Sequence, residues 1–126
     1  MTSKGEQNQT LGRRGEDLAV EFLGRLRYRI LERNYRCRCG EVDIVARQGK
    51  TVVFVEVKTR SSHLYGHPAA SVTPFKQRQI SRAAQTWLAA NRLSDAAARF
   101  DVVAISIGEG QECRIEHIVN AFDLPY

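Results

Sequence analysis

Gly40-Glu41-Val42-Asp43-Ile44-Val45-Ala46-Arg47-Gln48-Gly49-Lys50-Thr51-Val52-Val53-Phe54-Val55-Glu56-Val57-Lys58-Thr59-Arg60 reads as two strands around one tight turn. The strands are expected at Glu41–Arg47 and Thr51–Arg60, the second rich in the valine and phenylalanine that strands favour. A two-residue turn at Gly49-Lys50, with glycine first, fixes the register. Asp43 then faces Glu56 and Glu41 faces Lys58, and strict alternation puts all four on one face of the sheet. Val42, Ile44, Ala46, Val53, Val55 and Val57 take the other face. A slip by one residue would bury the charges, so the apolar set supports this register.

Two carboxylates directly opposite across a hairpin have Cβ atoms roughly 5 Å apart and repel each other. A divalent cation between them reverses the sign of that interaction. Mg²⁺, or Mn²⁺ in its place, takes hard oxygen ligands, commonly one or two carboxylates with waters and phosphate oxygens. The Val57 carbonyl is a candidate third protein ligand. Lys58 points the same way as Glu56, where its ammonium could hold an attacking water or balance charge in a phosphoryl transition state. Metal and lysine together meet two needs of phosphodiester hydrolysis. Ordinary ion pairs on an exposed strand face would use the same residues, and a single Glu-x-Lys is common by chance.

Outward from the hairpin, Leu11, Leu18, Ala19, Phe22, Leu23 and Leu26 recur at a helical period, with Thr10 as the expected cap. Residues 1–9 read as a flexible tail ahead of a single domain, 10–126. Glu16 lies on the flank of the apolar stripe, placed to be half-buried, while Asp17 points away from it. A strand is expected from Tyr28 to about Cys37. Ser61–Val72, with His63 and His67, reads as a loop, and both histidines as bystanders more than bases. Thr73-Pro74 opens a second helix with Ile80, Ala83, Ala84, Trp87 and Leu88 on its buried face. Strands at Phe100–Ile107 and Cys113–Val119 complete the order α-β-β-β-α-β-β. That order means an α/β fold, a mixed sheet flanked by helices.

Nineteen Lys/Arg against 14 Asp/Glu give a net charge of +5, and the excess lies wholly within residues 1–60. Arg25, Arg27, Arg29, Arg33, Arg36 and Arg38 alternate with Tyr28 and Tyr35. Such a cluster suits a phosphate-rich partner through counterion release, although a solvated basic surface has the same composition. Arg33, Arg36 and Arg38, together with Arg60 beside Lys58 and Lys76 in the first turn of the second helix, are the candidate nucleic-acid contacts. Lys76 shares the apolar stripe of its helix, so its stem could equally pack while its head reaches water. Asp101, beside Arg99, reads as structural. Cys37, Cys39 and Cys113 are an odd set without a second close pair, which argues for reduced thiols rather than a disulfide framework or a zinc site. No apolar run approaches the roughly 20 residues of a membrane span, and residues 1–9 lack a signal-peptide core, so a cytoplasmic protein is expected.

Gly40–Ala46 followed by Val53–Arg60 resembles the PD-(D/E)XK nuclease signature. More narrowly, the chain from Leu11 to Phe122 resembles the small bacterial YraN-like family, through the helix Gly12–Leu26, Arg99-Phe100-Asp101-Val102-Val103 and Asn120-Ala121-Phe122. The resemblance implies a restriction-endonuclease-like core similar to archaeal Holliday-junction resolvases. It implies Mg²⁺ at Asp43 and Glu56, with Lys58 as catalytic lysine. Glu16 matches an acidic residue that resolvase-like members carry on their first helix, where it could bind metal or a metal-bound water. Val42 stands where the motif's name has proline. The implied substrate is DNA, branched or flapped, with a binding module of the same fold as the alternative. By analogy alone, a homodimer is implied.

Overall fold

The computed structural model describes residues 4–61, 72–108, 110 and 112–123, with backbone only for 4–10 and 61. Seven elements follow in the order α1 (Lys4–Arg25), β1 (Arg29–Cys37), β2 (Gly40–Gln48), β3 (Thr51–Ser61), α2 (Pro74–Ala90), β4 (Ala98–Ile107) and β5 (Cys113–Phe122). The strands form one sheet in the order β1-β2-β3-β4-β5. Only β3 and β4 run parallel, joined by the crossover through α2; the other neighbours are antiparallel. The result is a mixed α/β architecture.

The alternation of β3 explains the layers. Val53 and Val55 join Ile44, Ala46, Val103 and Ile105 against Ala19 and Leu23 of α1. Val52 and Phe54 join Val45, Phe100 and Val102 against Ile80, Ala83 and Trp87 of α2. Successive strand residues point to opposite faces, so the two helices cover opposite sides of the sheet. Each fully buried Phe, Leu or Val contributes roughly 1.5–3 kcal/mol through the water it excludes. Trp87 anchors α2 as core, and its indole N–H donates to Glu32 Oε1 on β1 at 3.0 Å. Thr73 caps α2, its hydroxyl accepting the Lys76 N–H at 3.2 Å, with Pro74 in the first turn.

The hairpin register is the one the turn demands: Gln48 pairs with Thr51, Ala46 with Val53 and Ile44 with Val55, and Gly49 has φ +59°. Four expectations need correction. Helix α1 begins at Lys4, so Thr10 lies inside it and residues 4–9 are helical; Glu6, Gln7 and Gln9 are adequate helix formers and no proline stops them. Val42 packs with the α2-side cluster, away from Ile44 and Ala46, so alternation breaks at Asp43. The apolar face is therefore not single, because helices bury both sides of the hairpin. Glu41 does not face Lys58. It pairs with Arg36 across β1–β2, Nε to Oε2 at 3.3 Å, because the β2–β3 ladder ends at Ile44 and Val55. Finally, β5 runs on to Phe122, which stacks on Phe100 at 4.8 Å.

Asp101 is structural. Fully buried, it accepts from Arg99 Nε at 3.0 Å, contacts His117 Nε2 at 2.8 Å and accepts the Asn120 N–H at 3.0 Å, inside the bulge that shifts β5. Arg99 also donates to the Tyr28 hydroxyl at 2.6 Å, which ties the strand after α1 to the same network.

Candidate active site

Where β2 leaves the ladder, the first residue without a β3 partner is Asp43. Its Oδ2 takes the Val57 N–H at 2.8 Å, a backbone donor that continued pairing would have used. Burial pushes the Asp43 carboxyl up to about 7, and the Glu56 charge adds to this. The Val57 N–H opposes the rise, while a hydrogen bond shared with Glu56 and the more remote charge of Glu16 reinforce it. Glu56, one residue before Val57, is only 8% exposed. Asp43 and Glu56 thus lie close enough for the charge of one to raise the pKa of the other, although the expected direct pairing of the two across the ladder is not made, because β2 leaves β3 at Asp43.

Two lysines answer them. Lys76 Nζ lies 2.6 Å from Glu56 Oε1 and Lys58 Nζ lies 3.6 Å from the same oxygen. The two amines also influence each other's charge, with opposite consequences. Burial and the neighbouring Lys76 lower the Lys58 pKa, against the pull of Glu56. Burial opposes the charge of Lys76 as well, but its hydrogen bond to Glu56, the neighbouring Lys58 and the charges of Glu56 and Asp43 together outweigh this and its pKa rises. Lys58 is therefore the amine that gives up a proton more readily. Lys76, whose place on the apolar stripe left open whether it packs or reaches outward, lies with its ammonium on Glu56.

Helix α1 supplies the third wall. Gly15 makes this possible, since a Cβ there would stand 1.8 Å from Thr59 Oγ1 and 2.8 Å from Thr59 Cβ on β3. The next residue, Glu16, lines a cleft of about 410 Å³ with Leu11, Asp43, Val57 and Lys58. Its Oε1 accepts from Arg33 Nε at 3.1 Å and from Asn34 Nδ2 at 2.9 Å. Arg33 also binds Asp17 Oδ1 at 2.6 Å, and these acidic partners raise its pKa against the effect of burial. Arg33 thus braces Glu16 and is not a free phosphate contact. Among the described residues, no third His, Cys, Asp or Glu joins Asp43 and Glu56 closely enough to complete a metal cage. Asn34 and Gly15 escaped the sequence reading. The turn-based register applied to β1–β2 puts Asn34 opposite Asp43, so that signal was present. The glycine carried none.

Two further hollows carry cationic side chains, and one of them adjoins the cleft. Arg13, Arg33 and Arg36 line one of about 690 Å³, which shares Gly12 and Glu16 with the cleft. Arg36, Arg38 and Lys76 line another of about 370 Å³ beside Gly40. Gly40 has φ +154°, and a Cβ there would meet the Gln79 carbonyl at 3.0 Å. Arg36 and Arg38 are exposed, whereas Arg60 is half-buried at the end of β3 with its Nε shielded. His63 and His67 lie outside the described residues. Cys37 and Cys39 are free thiols at the β1–β2 turn. No described helix is long and apolar enough to cross a membrane.

Comparison with known sequences agrees with the breadth of this architecture. The model of "Uncharacterised protein family UPF0102" matches residues 15–105, which includes Glu16, the β2–β3 hairpin and Lys76. A UPF0102 protein of Geobacter metallireducens is 65% identical over 119 residues, 94% of this chain and 97% of that one. One from Geobacter sulfurreducens is 64% identical, covering 94% and 93%. A more distant one, from Chlorobium phaeobacteroides, is 50% identical over 89% of this chain and 93% of its own. With a family model matched over most of the chain and relatives matched over nearly their whole length, this protein belongs to the UPF0102, or YraN-like, family.

Proposed function

We propose that the chain is a divalent-metal-dependent endonuclease of the PD-(D/E)XK type, with a restriction-endonuclease-like core, acting on DNA. The observation that carries this reading is the proximity of Asp43, which lines the cleft, to the almost buried Glu56, with two lysines beside them, rather than their separation into surface ion pairs. Paired carboxylates held apart from bulk water where β2 leaves β3 make a costly arrangement, and a structural role would be served better by one acid and one base.

The donor set fits a hard cation. Asp43 and Glu56 offer carboxylate oxygens, and the Asp43 carboxyl held near 7 gains from any added positive charge. The Val57 N–H points at Asp43, and the carbonyl of a strand residue leaves on the same side as its N–H, so Val57 is the natural third ligand. Two carboxylates, one carbonyl and several waters suit Mg²⁺ or Mn²⁺, which keep part of their hydration shell. When bound, such a cation supplies Lewis acidity to the phosphodiester. Lys58, whose amine loses its proton more readily than an ordinary lysine, orients the attacking water and accepts or returns its proton. Glu16, braced by Arg33 and Asn34, faces the same cleft and holds a further water by hydrogen bond. Arg36 and Arg38, exposed in the two further hollows, contact backbone phosphates and add affinity without sequence preference.

A screen of linear, flapped and four-way DNA, and of RNA, with Mg²⁺ or Mn²⁺ tests the reading. Metal-dependent cleavage of at least one DNA substrate is the expected outcome. Binding that persists without divalent metal, with no cleavage of any substrate, would instead favour a nucleic-acid-binding module.

A further inference from the structure

The contact between Lys76 and Glu56 has the geometry of an occupied cation site. An ammonium 2.6 Å from Oε1 of an almost buried carboxylate, next to a second carboxylate, holds an oxygen that a divalent ion shared by the two would use. We propose that Lys76 is the resting counter-ion of the metal position and must leave Glu56 before a divalent cation can bind. The inference rests on the metal-site reading above and adds a residue that competes with the metal.

Three observations carry it. The first is the choice of lysine. Lys58 follows Glu56 by two residues on the same strand and reaches only to 3.6 Å. Lys76 comes from the first turn of α2, whose cap at Thr73 is independent of the hairpin. It makes the shorter contact across elements. The second is freedom to move. The Lys76 side chain is 37% exposed, and it lines the hollow shared with Arg36, Arg38 and Gln79, so a rotamer change takes the ammonium into that hollow without unpacking the core. The third is charge balance. Asp43 and Glu56 face Lys58 and Lys76 across one cluster, and a divalent ion added to that set leaves the ammonium groups in excess. Departure of Lys76 relieves that excess, because both ammonium groups are held at the same Glu56 oxygen.

A direct consequence is that the free protein holds metal weakly. Titration of Mn²⁺ alone into the full-length protein, followed by calorimetry, provides the test. Lys76→Met and Lys76→Gln should each tighten Mn²⁺ binding by about tenfold, the equivalent of about 1.4 kcal/mol. Lys76→Arg, which keeps a cation at the site, should stay within about threefold of wild type. Lys58→Met should change the affinity much less than Lys76→Met, because Lys58 stands farther from that oxygen, at 3.6 Å against 2.6 Å. Unchanged or weaker Mn²⁺ binding in both Lys76→Met and Lys76→Gln overturns the proposal. So does equal tightening by Lys58→Met, which would reflect the general field of the cluster. Asp43→Asn separates the two levels. Wild-type binding that is lost in Asp43→Asn upholds the metal site even where the lysine proposal fails. Absence of Mn²⁺ binding in wild type and in every Lys76 variant removes both.

Discussion

Asp43→Asn in the metal-free protein turns the electrostatics of the site into a stability measurement. The fold holds this carboxyl at about 7, against 3.8 in an unstructured chain, mainly because burial and Glu56 penalise its charge. A raised carboxyl pKa contributes stability that is complete below the unfolded value. That stability is lost as pH rises from about 4 to about 7 and does not change further above that range. A gap of about three units at roughly 1.4 kcal/mol each sets a ceiling of about 4 kcal/mol. The cleft is open to solvent and two lysines stand beside it, so an effect on the order of 2 kcal/mol is expected. Asparagine mimics the protonated acid: its carbonyl still accepts the Val57 N–H, and its amide donates towards Glu56. In EDTA the variant should match wild type near about pH 4 and lead it above about pH 7, by roughly 6–10 °C in Tm. Added Mn²⁺ should raise the melting temperature of wild type and leave the variant unmoved. Thermal melts across that pH range with and without metal are the assay. A variant less stable than wild type at about pH 8, or a gap that does not change with pH, would refute the reasoning.

Gly15→Ala should cost roughly 1–3 kcal/mol in urea melts, because a Cβ would collide with Thr59 and lift α1 from β3. Asp101→Asn should cost on the order of 3 kcal/mol by leaving the half-buried Arg99 without its anion, yet leave Mn²⁺ affinity unchanged because the network is separate from the cleft. Arg36→Ala should barely change stability, its ion pair with Glu41 being exposed, while flattening the log–log salt dependence of DNA binding by about one unit.

How much of this was legible in the sequence differs residue by residue. The hairpin register from Gln48–Thr51 to Ile44–Val55 was, because a Gly-first turn and period-two alternation leave one solution, and it drew attention to Asp43 and Glu56 just beyond its end. Strict alternation then misled at Val42, since it assumes that both strands stay paired, whereas β2 departs at Asp43. The same departure sends Glu41 to Arg36 instead of Lys58. Arg33 appeared as one more member of a basic cluster; only the approach of α1 to β1 shows it spent on Glu16 and Asp17. Long-range partnerships such as Asp101 with His117 and Glu32 with Trp87 depend on packing between elements and carry no local periodicity. Lys76 is the instructive middle case. Its helical stripe was readable, but its arrival at Glu56 depends on where α2 crosses the sheet.

Cleavage by matched preparations of wild type and Lys58→Met is the measurement closest to the central claim. Lys58→Met keeps the stem and removes the amine, while Asp43, Glu56 and the exposed arginines are untouched. With Mn²⁺ or Mg²⁺ and flapped or four-way DNA, wild type is predicted to cut. Lys58→Met is predicted to bind the same DNA and metal without cutting. Equal cleavage by both preparations, or none by either while both bind DNA, would contradict the assignment of a nuclease to this site.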